Sequence, residues 1–113
     1  MSFRLNQNSK VLKPYEYKAI FNDGKITKGK YWQIVARRIS SPKPRLGLAI
    51  SKKVQRLAVD RNRYKRVARE AFRLNQNTLS NWEFVIMAKH SKPANNQIIS
   101  KDLLNLFNKI TNN

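Results

Sequence analysis

Apolar residues recur at i, i+3, i+4, i+7 and i+8 through Tyr64, Val67, Ala68, Ala71 and Phe72, the repeat that lines one side of a helix for burial. The spacing predicts a helix over roughly 58 to 75, ended by Asn75-Gln76-Asn77. Upstream, Pro14 suits a first helical position, and Tyr15, Tyr17, Ile20 and Phe21 populate a short helix that stops near Asn22-Asp23-Gly24. Residues 31 to 39 are rich in β-branched and aromatic side chains; Ser40-Ser41-Pro42-Lys43-Pro44 interrupts them, and Arg45 to Ile50 resumes as a second strand. Together these two read as a hairpin with a mobile connection. Trp82 to Ala88 is a nearly continuous apolar run, the pattern of a strand covered on both faces. Strand, helix and strand in succession imply a parallel pair. After a loop at residues 92 to 96, Ser100 reads as an N-cap, and Leu103, Leu104, Phe107 and Ile110 give a final amphipathic helix. Residues 1 to 13 are polar and basic without a sustained period and read as an extended arm. With no repeat, linker or low-complexity tract, residues 1 to 113 read as a single domain.

Charge gives that domain a partner. The side of the central helix opposite its apolar stripe carries Arg61, Arg63, Lys65, Arg66, Arg69 and Arg73, and only Glu70 offsets them, within reach of Arg66 and Arg73. The whole chain has 24 Lys and Arg against 6 Asp and Glu, a net charge of +18, too large for self-neutralisation and best answered by a polyphosphate. An apolar fraction of 41% is compatible with a modest single core. The absence of cysteine excludes disulfides, zinc knuckles and thiol catalysis. The longest apolar run, Phe84 to Ala88, is far too short to cross a bilayer, and Met1 to Asn6 contain no signal-like apolar region. A cytoplasmic protein without a membrane partner is the reading.

Protein-based catalysis lacks its parts. Glu16, Asp23, Asp60, Glu70, Glu83 and Asp102 are spread over different elements, mostly beside cations, and make no acid/base pair. His90 has no second histidine or cysteine with which to share a metal, and Gly24, Gly29 and Gly47 form no phosphate-cradling loop. A charge run is ordinarily a solvated face. Here, however, it is of one sign, continues through Lys52, Lys53 and Arg56, includes the amide of Asn62, and favours arginine, which grips phosphate in a bidentate manner. Tyr17 and Phe21, at i and i+4, serve either core packing or base stacking. Tyr15, Tyr31 and Trp32 share that ambiguity, because the pattern does not say which side they face.

The run Arg61-Asn62-Arg63-Tyr64-Lys65-Arg66-Val67-Ala68-Arg69-Glu70-Ala71-Phe72-Arg73, preceded by Arg45-Leu46-Gly47-Leu48-Ala49-Ile50-Ser51-Lys52-Lys53, resembles the protein subunit of bacterial ribonuclease P. The likeness extends to Leu12 to Phe21 and to Phe84-Val85-Ile86-Met87-Ala88-Lys89, and is loose over residues 95 to 113. It implies an α+β fold, a single-domain α-β-β-β-α-β-α sandwich of the ribosomal protein S5 domain 2-like kind. Its left-handed βαβ crossover runs against the usual handedness. The resemblance further implies an accessory subunit of an endoribonuclease of tRNA 5′ maturation. In that family the ribonuclease P RNA performs the Mg2+-dependent hydrolysis that removes the leader of precursor tRNA, and the Mg2+ is held mainly by the RNA. By matching positions, Arg61, Asn62, Arg63, Lys65, Arg66 and Arg69 would dock on the catalytic RNA, while Tyr17, Phe21, Lys52 and Lys53 would hold the single-stranded leader. A ribosomal or chaperone-like RNA binder explains the charge equally well. A helix-turn-helix DNA binder wants a short helix before the basic one, where this chain offers strands, so no DNA partner is expected.

Overall fold

The computed structural model describes residues 14–51, 57–89 and 94–112. In chain order they form α1 (Pro14–Asp23), β1 (Lys25–Lys28), β2 (Trp32–Arg38), β3 (Arg45–Ala49), α2 (Ala58–Leu74), β4 (Trp82–Ala88) and α3 (Asn96–Thr111), an α+β fold with the α-β-β-β-α-β-α order. The extended arm expected at residues 1 to 13 lies outside the described residues.

One mixed sheet in the order β1-β2-β4-β3 organises the molecule. The parallel pairing of β3 with β4 matches the expectation, and β2 is antiparallel to β4. The hairpin expected from residues 31–39 and 45–50 does not form, because β4 lies between them. Phe84, Val85 and Ile86 are all buried, so this run needs cover on both faces as well as backbone partners on both edges. Only an interior position supplies both. β2 instead forms its hairpin with β1, a strand the sequence pattern did not single out, through a turn in which Gly29 N–H donates to the Trp32 carbonyl at 2.8 Å.

The connection at residues 40–44, expected to be mobile, is tied down by Asn81. Its amide donates to the Ser41 carbonyl at 2.9 Å, and its own carbonyl accepts from Ile39 N–H at 2.8 Å. Asn81 has φ 70°, the left-handed conformation that asparagine tolerates better than most residues.

Side-chain alternation gives the sheet two different faces. Trp32, Ile34, Leu46, Phe84 and Ile86 point to the layer built by α2 and α3. The predicted stripe of α2 is buried there in full, and α3 contributes Ile99, Leu103, Leu106, Phe107 and Ile110. Trp32 donates from Nε1 to the Ile99 carbonyl at 2.7 Å, and Phe84 packs its ring 6.4 Å from that of Phe72 and 5.6 Å from that of Phe107. Val35 and Val85 point the other way and meet Ile20 of α1. Gly24 ends α1 for want of space, since a Cβ there would stand 2.5 Å from the Ile20 carbonyl oxygen and 2.6 Å from Val35 Cγ1.

The start of α3 also differs from expectation. Asn95 is the N-cap, its side chain accepting from Ile98 N–H at 2.9 Å, and Ser100 lies within the helix. The apolar stripe reaches back to Ile99, so the helix must begin early enough to bring that residue to the core.

Candidate nucleic-acid interface

With its stripe committed to the core, α2 turns Asn62, Arg66 and Arg69 outward as exposed side chains, and holds Arg61, Arg63, Lys65 and Arg73 half-buried. Glu70 pairs with Arg73 one turn on. Its expected pairing with Arg66 is not made, and neither Arg66 nor Arg69 forms an ion pair among the described residues. Arg63 is used differently. It donates to the Ala94 carbonyl at 2.7 Å, lies 3.7 Å from Asp60 and places its guanidinium 5.7 Å from the Tyr64 ring centre. It therefore fastens the first turns of α2 to the segment leading into α3, and much of its hydrogen-bonding capacity stays within the protein.

On the other layer, α1 lies across the sheet, with Tyr17 and Phe21 one turn apart on it in different surroundings. Tyr17 sits over Gly47, where a Cβ would stand 2.6 Å from the ring, and its hydroxyl donates to the Leu48 carbonyl at 3.2 Å. Ile20, rather than Phe21, fills the core beneath α1. Asp23 pairs with Arg37 at 3.2 Å and so fixes one flank of the helix. Phe21, two residues earlier and thus about 200° away around the axis, projects from the opposite flank and is 46% exposed.

Beneath that flank the sheet presents Gln33, Met87 and Ala49, aligned across β2, β4 and β3 and each half-buried. Tyr17 on α1 and Ala49 and Met87 on the sheet pack around Ile20, Val35 and Val85, and the surface they border with Phe21 is the candidate cleft. Val35 lies under the helix, so β2 brings Gln33 to the cleft floor. The floor residues gave no separate signal in the sequence, where Met87 was simply part of an apolar run. Tyr31 and Trp32, ambiguous by pattern, are core residues.

The far flank of α1 is closed by ionic contacts. Buried Glu83 accepts from Arg37 at 2.7 Å and from Arg45 at 3.3 Å. The hydrogen bond to Glu83 raises the pKa of Arg37 above its ordinary value, opposed by partial burial and reinforced by the charges of Glu83 and Asp23.

β3 ends at Ala49 and α2 begins at Ala58, so the chain between them bounds the separation of these two ends at ~30 Å. Lys52 and Lys53, expected to border the cleft, lie outside the described residues. Among the described residues every carboxylate with a placed side chain is engaged: Asp23, Asp60, Glu70 and Glu83 by arginines, and Asp102 by the N–H groups of Lys30 and Tyr31 at 3.1 and 2.9 Å. No group of three potential metal ligands is found among them, and no helix is long and apolar enough to cross a membrane. This arrangement can grip a polyanion and stack unpaired bases.

Residues 5–111 match the family model described as Ribonuclease P. A ribonuclease P protein component of Vesicomyosocius okutanii subsp. Calyptogena okutanii is 66% identical over 110 residues, covering 97% of both chains. Its counterpart in Vibrio cholerae is 38% identical over 109 residues, 96% of this chain and 90% of that one. The solved Staphylococcus aureus RNase P protein superposes with a TM-score of 0.82 at 21% identity, covering 90% of this chain and 94% of that one. The Thermotoga maritima RNase P protein gives 0.77 at 24% identity, with 88% and 96% covered. These two structures share the fold.

Proposed function

The chain belongs to the ribonuclease P protein component family, a subunit of an endoribonuclease of tRNA processing that works with an RNA partner, and from that premise we propose a division of labour between its two faces. The outward side of α2, with Asn62, Lys65, Arg66 and Arg69 foremost and Arg61 and Arg63 at its start, binds the catalytic RNA. The cleft beside α1, with Tyr17 and Phe21, receives the single-stranded 5′ leader of precursor tRNA, and Lys52 and Lys53 complete its basic border. The RNA performs the Mg2+-dependent hydrolysis and holds the metal among its own phosphates. The protein lowers repulsion between two polyanions and adds leader contacts. The observations that carry this reading are the exposed Phe21 on α1 and the outward Asn62, Arg66 and Arg69 on α2, of which neither arginine is engaged by a carboxylate among the described residues. In this reading the protein works in the cytoplasm on RNA, with no role for DNA or a membrane.

Protein stripped of RNA is expected not to cleave precursor tRNA in magnesium, whereas protein reconstituted with the catalytic RNA is expected to release the leader. Cleavage by rigorously RNA-free protein would overturn the assignment of chemistry. The cleft has its own test. Phe21→Ala removes an exposed ring, and should cost up to about 1 to 3 kcal/mol per lost base stack when the substrate carries a long leader. Binding of mature tRNA should hardly change. Tyr17→Phe keeps the ring over Gly47 and is expected to preserve leader binding better than Tyr17→Ala. Precursors of increasing leader length, titrated against each reconstituted variant, make the measurement; a loss of equal size at every length would remove these rings from leader recognition.

A further inference from the structure

On the outer side of the helical layer, α2 and α3 leave between them a groove of about 550 Å³. Its walls are apolar, with Val67, Ala71 and Leu74 on α2 facing Leu104 on α3. Leu74 and Leu104 stay 52% and 37% exposed there, so nothing in the described protein covers them. The rim has a different character. Arg66 on α2 and Lys101 on α3 supply charge, and Gln97 and Ser100 bring an amide and a hydroxyl that make no hydrogen bond among the described residues. The one carboxylate of the rim, Glu70, is occupied by Arg73. The first turn of α3 has no acidic residue, so the partial positive charge of the helix start is not neutralised locally.

An apolar slot bordered by cations and an uncommitted amide suits a flat heteroaromatic ring with a phosphate attached. A second copy of the chain, itself carrying a net charge of +18, would be repelled from that rim. Arg66 belongs at once to the groove and to the outward face of α2, so an RNA strand held on that face passes the mouth of the groove. The leader cleft lies on the opposite face of the sheet, which separates the two binding places. Resting on the proposed role of α2, we propose that the groove receives one unpaired base of the catalytic RNA. The adjoining phosphates lie at Arg66 and Lys101, and Gln97 hydrogen-bonds the edge of the base.

Two variants test this in the reconstituted complex. Ser100→Phe fills the groove without altering charge, and Gln97→Ala removes the edge contact. Affinity for the catalytic RNA should fall about 5- to 150-fold in Ser100→Phe, the worth of one base stack. The slope of log affinity against log salt should stay constant, because no phosphate contact is lost. Chemical probing with dimethyl sulfate and a carbodiimide should find one base of the catalytic RNA protected in the wild-type complex and reactive in both variants. Unchanged protection and affinity in Gln97→Ala would overturn the proposal even if a thermal melt showed Ser100→Phe to be unfolded. Altered reactivity confined to the precursor tRNA, or altered sedimentation of the protein alone, would overturn it in favour of the substrate or a second copy. Failure of the wild-type protein to bind the catalytic RNA would instead remove the role of α2 on which the proposal rests.

Discussion

Replacing Trp32 with alanine is expected to destabilise the fold by about 3 to 5 kcal/mol, the cost of deleting a large aromatic side chain from a packed core. Trp32 is fully buried, its ring centre stands 5.0 Å from that of Tyr64, and its indole N–H is the donor to the Ile99 carbonyl. Three elements therefore meet on one side chain: β2, α2 and α3. Truncation leaves a cavity and removes the indole hydrogen bond from the Ile99 carbonyl, which keeps only the bond it accepts within α3. Since a small domain retains only about 5 to 15 kcal/mol of net stability, the variant should melt on the order of 10 °C lower or fail to accumulate. Leu74→Ala, at a half-exposed position of α2, should change stability far less. Urea melts of both variants at one fixed salt concentration, which holds the repulsion of the basic surface constant, make the comparison. A loss below about 1 kcal/mol for Trp32→Ala would mean that the helical layer does not close on the sheet through this ring.

The contrast between α2 and β1 shows what the sequence could reveal. α2 is long enough for five stripe residues to repeat with helical spacing, and all five are buried. β1 has four residues with a lysine at each end, none of them fully buried, and exists because β2 offers it a free edge. Its formation depends on pairing, which no local pattern encodes. The mistaken hairpin has a related cause. Strands adjacent in sequence are usually adjacent in space, but the apolar run of β4 competes more strongly for the position beside β2. At the candidate site, the cationic face was legible because charge needs no tertiary context to be counted. The use of Arg63 was hidden, since its acceptor at Ala94 is 31 residues away. The difference between Ile20 and Phe21 was hidden as well. Both are apolar neighbours on one helix, and the rotation of that helix over the sheet is set by contacts distant in sequence, Ile20 on Val35 and Val85 and the Tyr17 hydroxyl on the Leu48 carbonyl.

Converting Arg66 and Arg69 together to alanine, with Asn62→Ala added, is expected to weaken binding to the catalytic RNA by about a hundredfold or more, at roughly 1.5 to 3 kcal/mol for each charge-assisted contact removed. These three side chains are chosen because they are exposed and spend nothing on the protein's own framework. The same losses should flatten the dependence of log affinity on log salt by about 0.7 to 0.9 for each phosphate contact, or nearly two units for the arginine pair. Stability should move by no more than about 0.5 kcal/mol, because the substitutions touch neither the buried stripe nor a cap. Arg63→Ala is the informative companion. Removing it breaks the link to Ala94 and withdraws a cation from the Tyr64 ring, so stability and affinity should fall together. Titrations of the catalytic RNA at several salt concentrations, alongside melts of each variant, separate the two behaviours. Wild-type affinity and slope in the triple variant would return the outward face of α2 to solvent, and would require the +18 charge of the chain to meet RNA elsewhere on its surface.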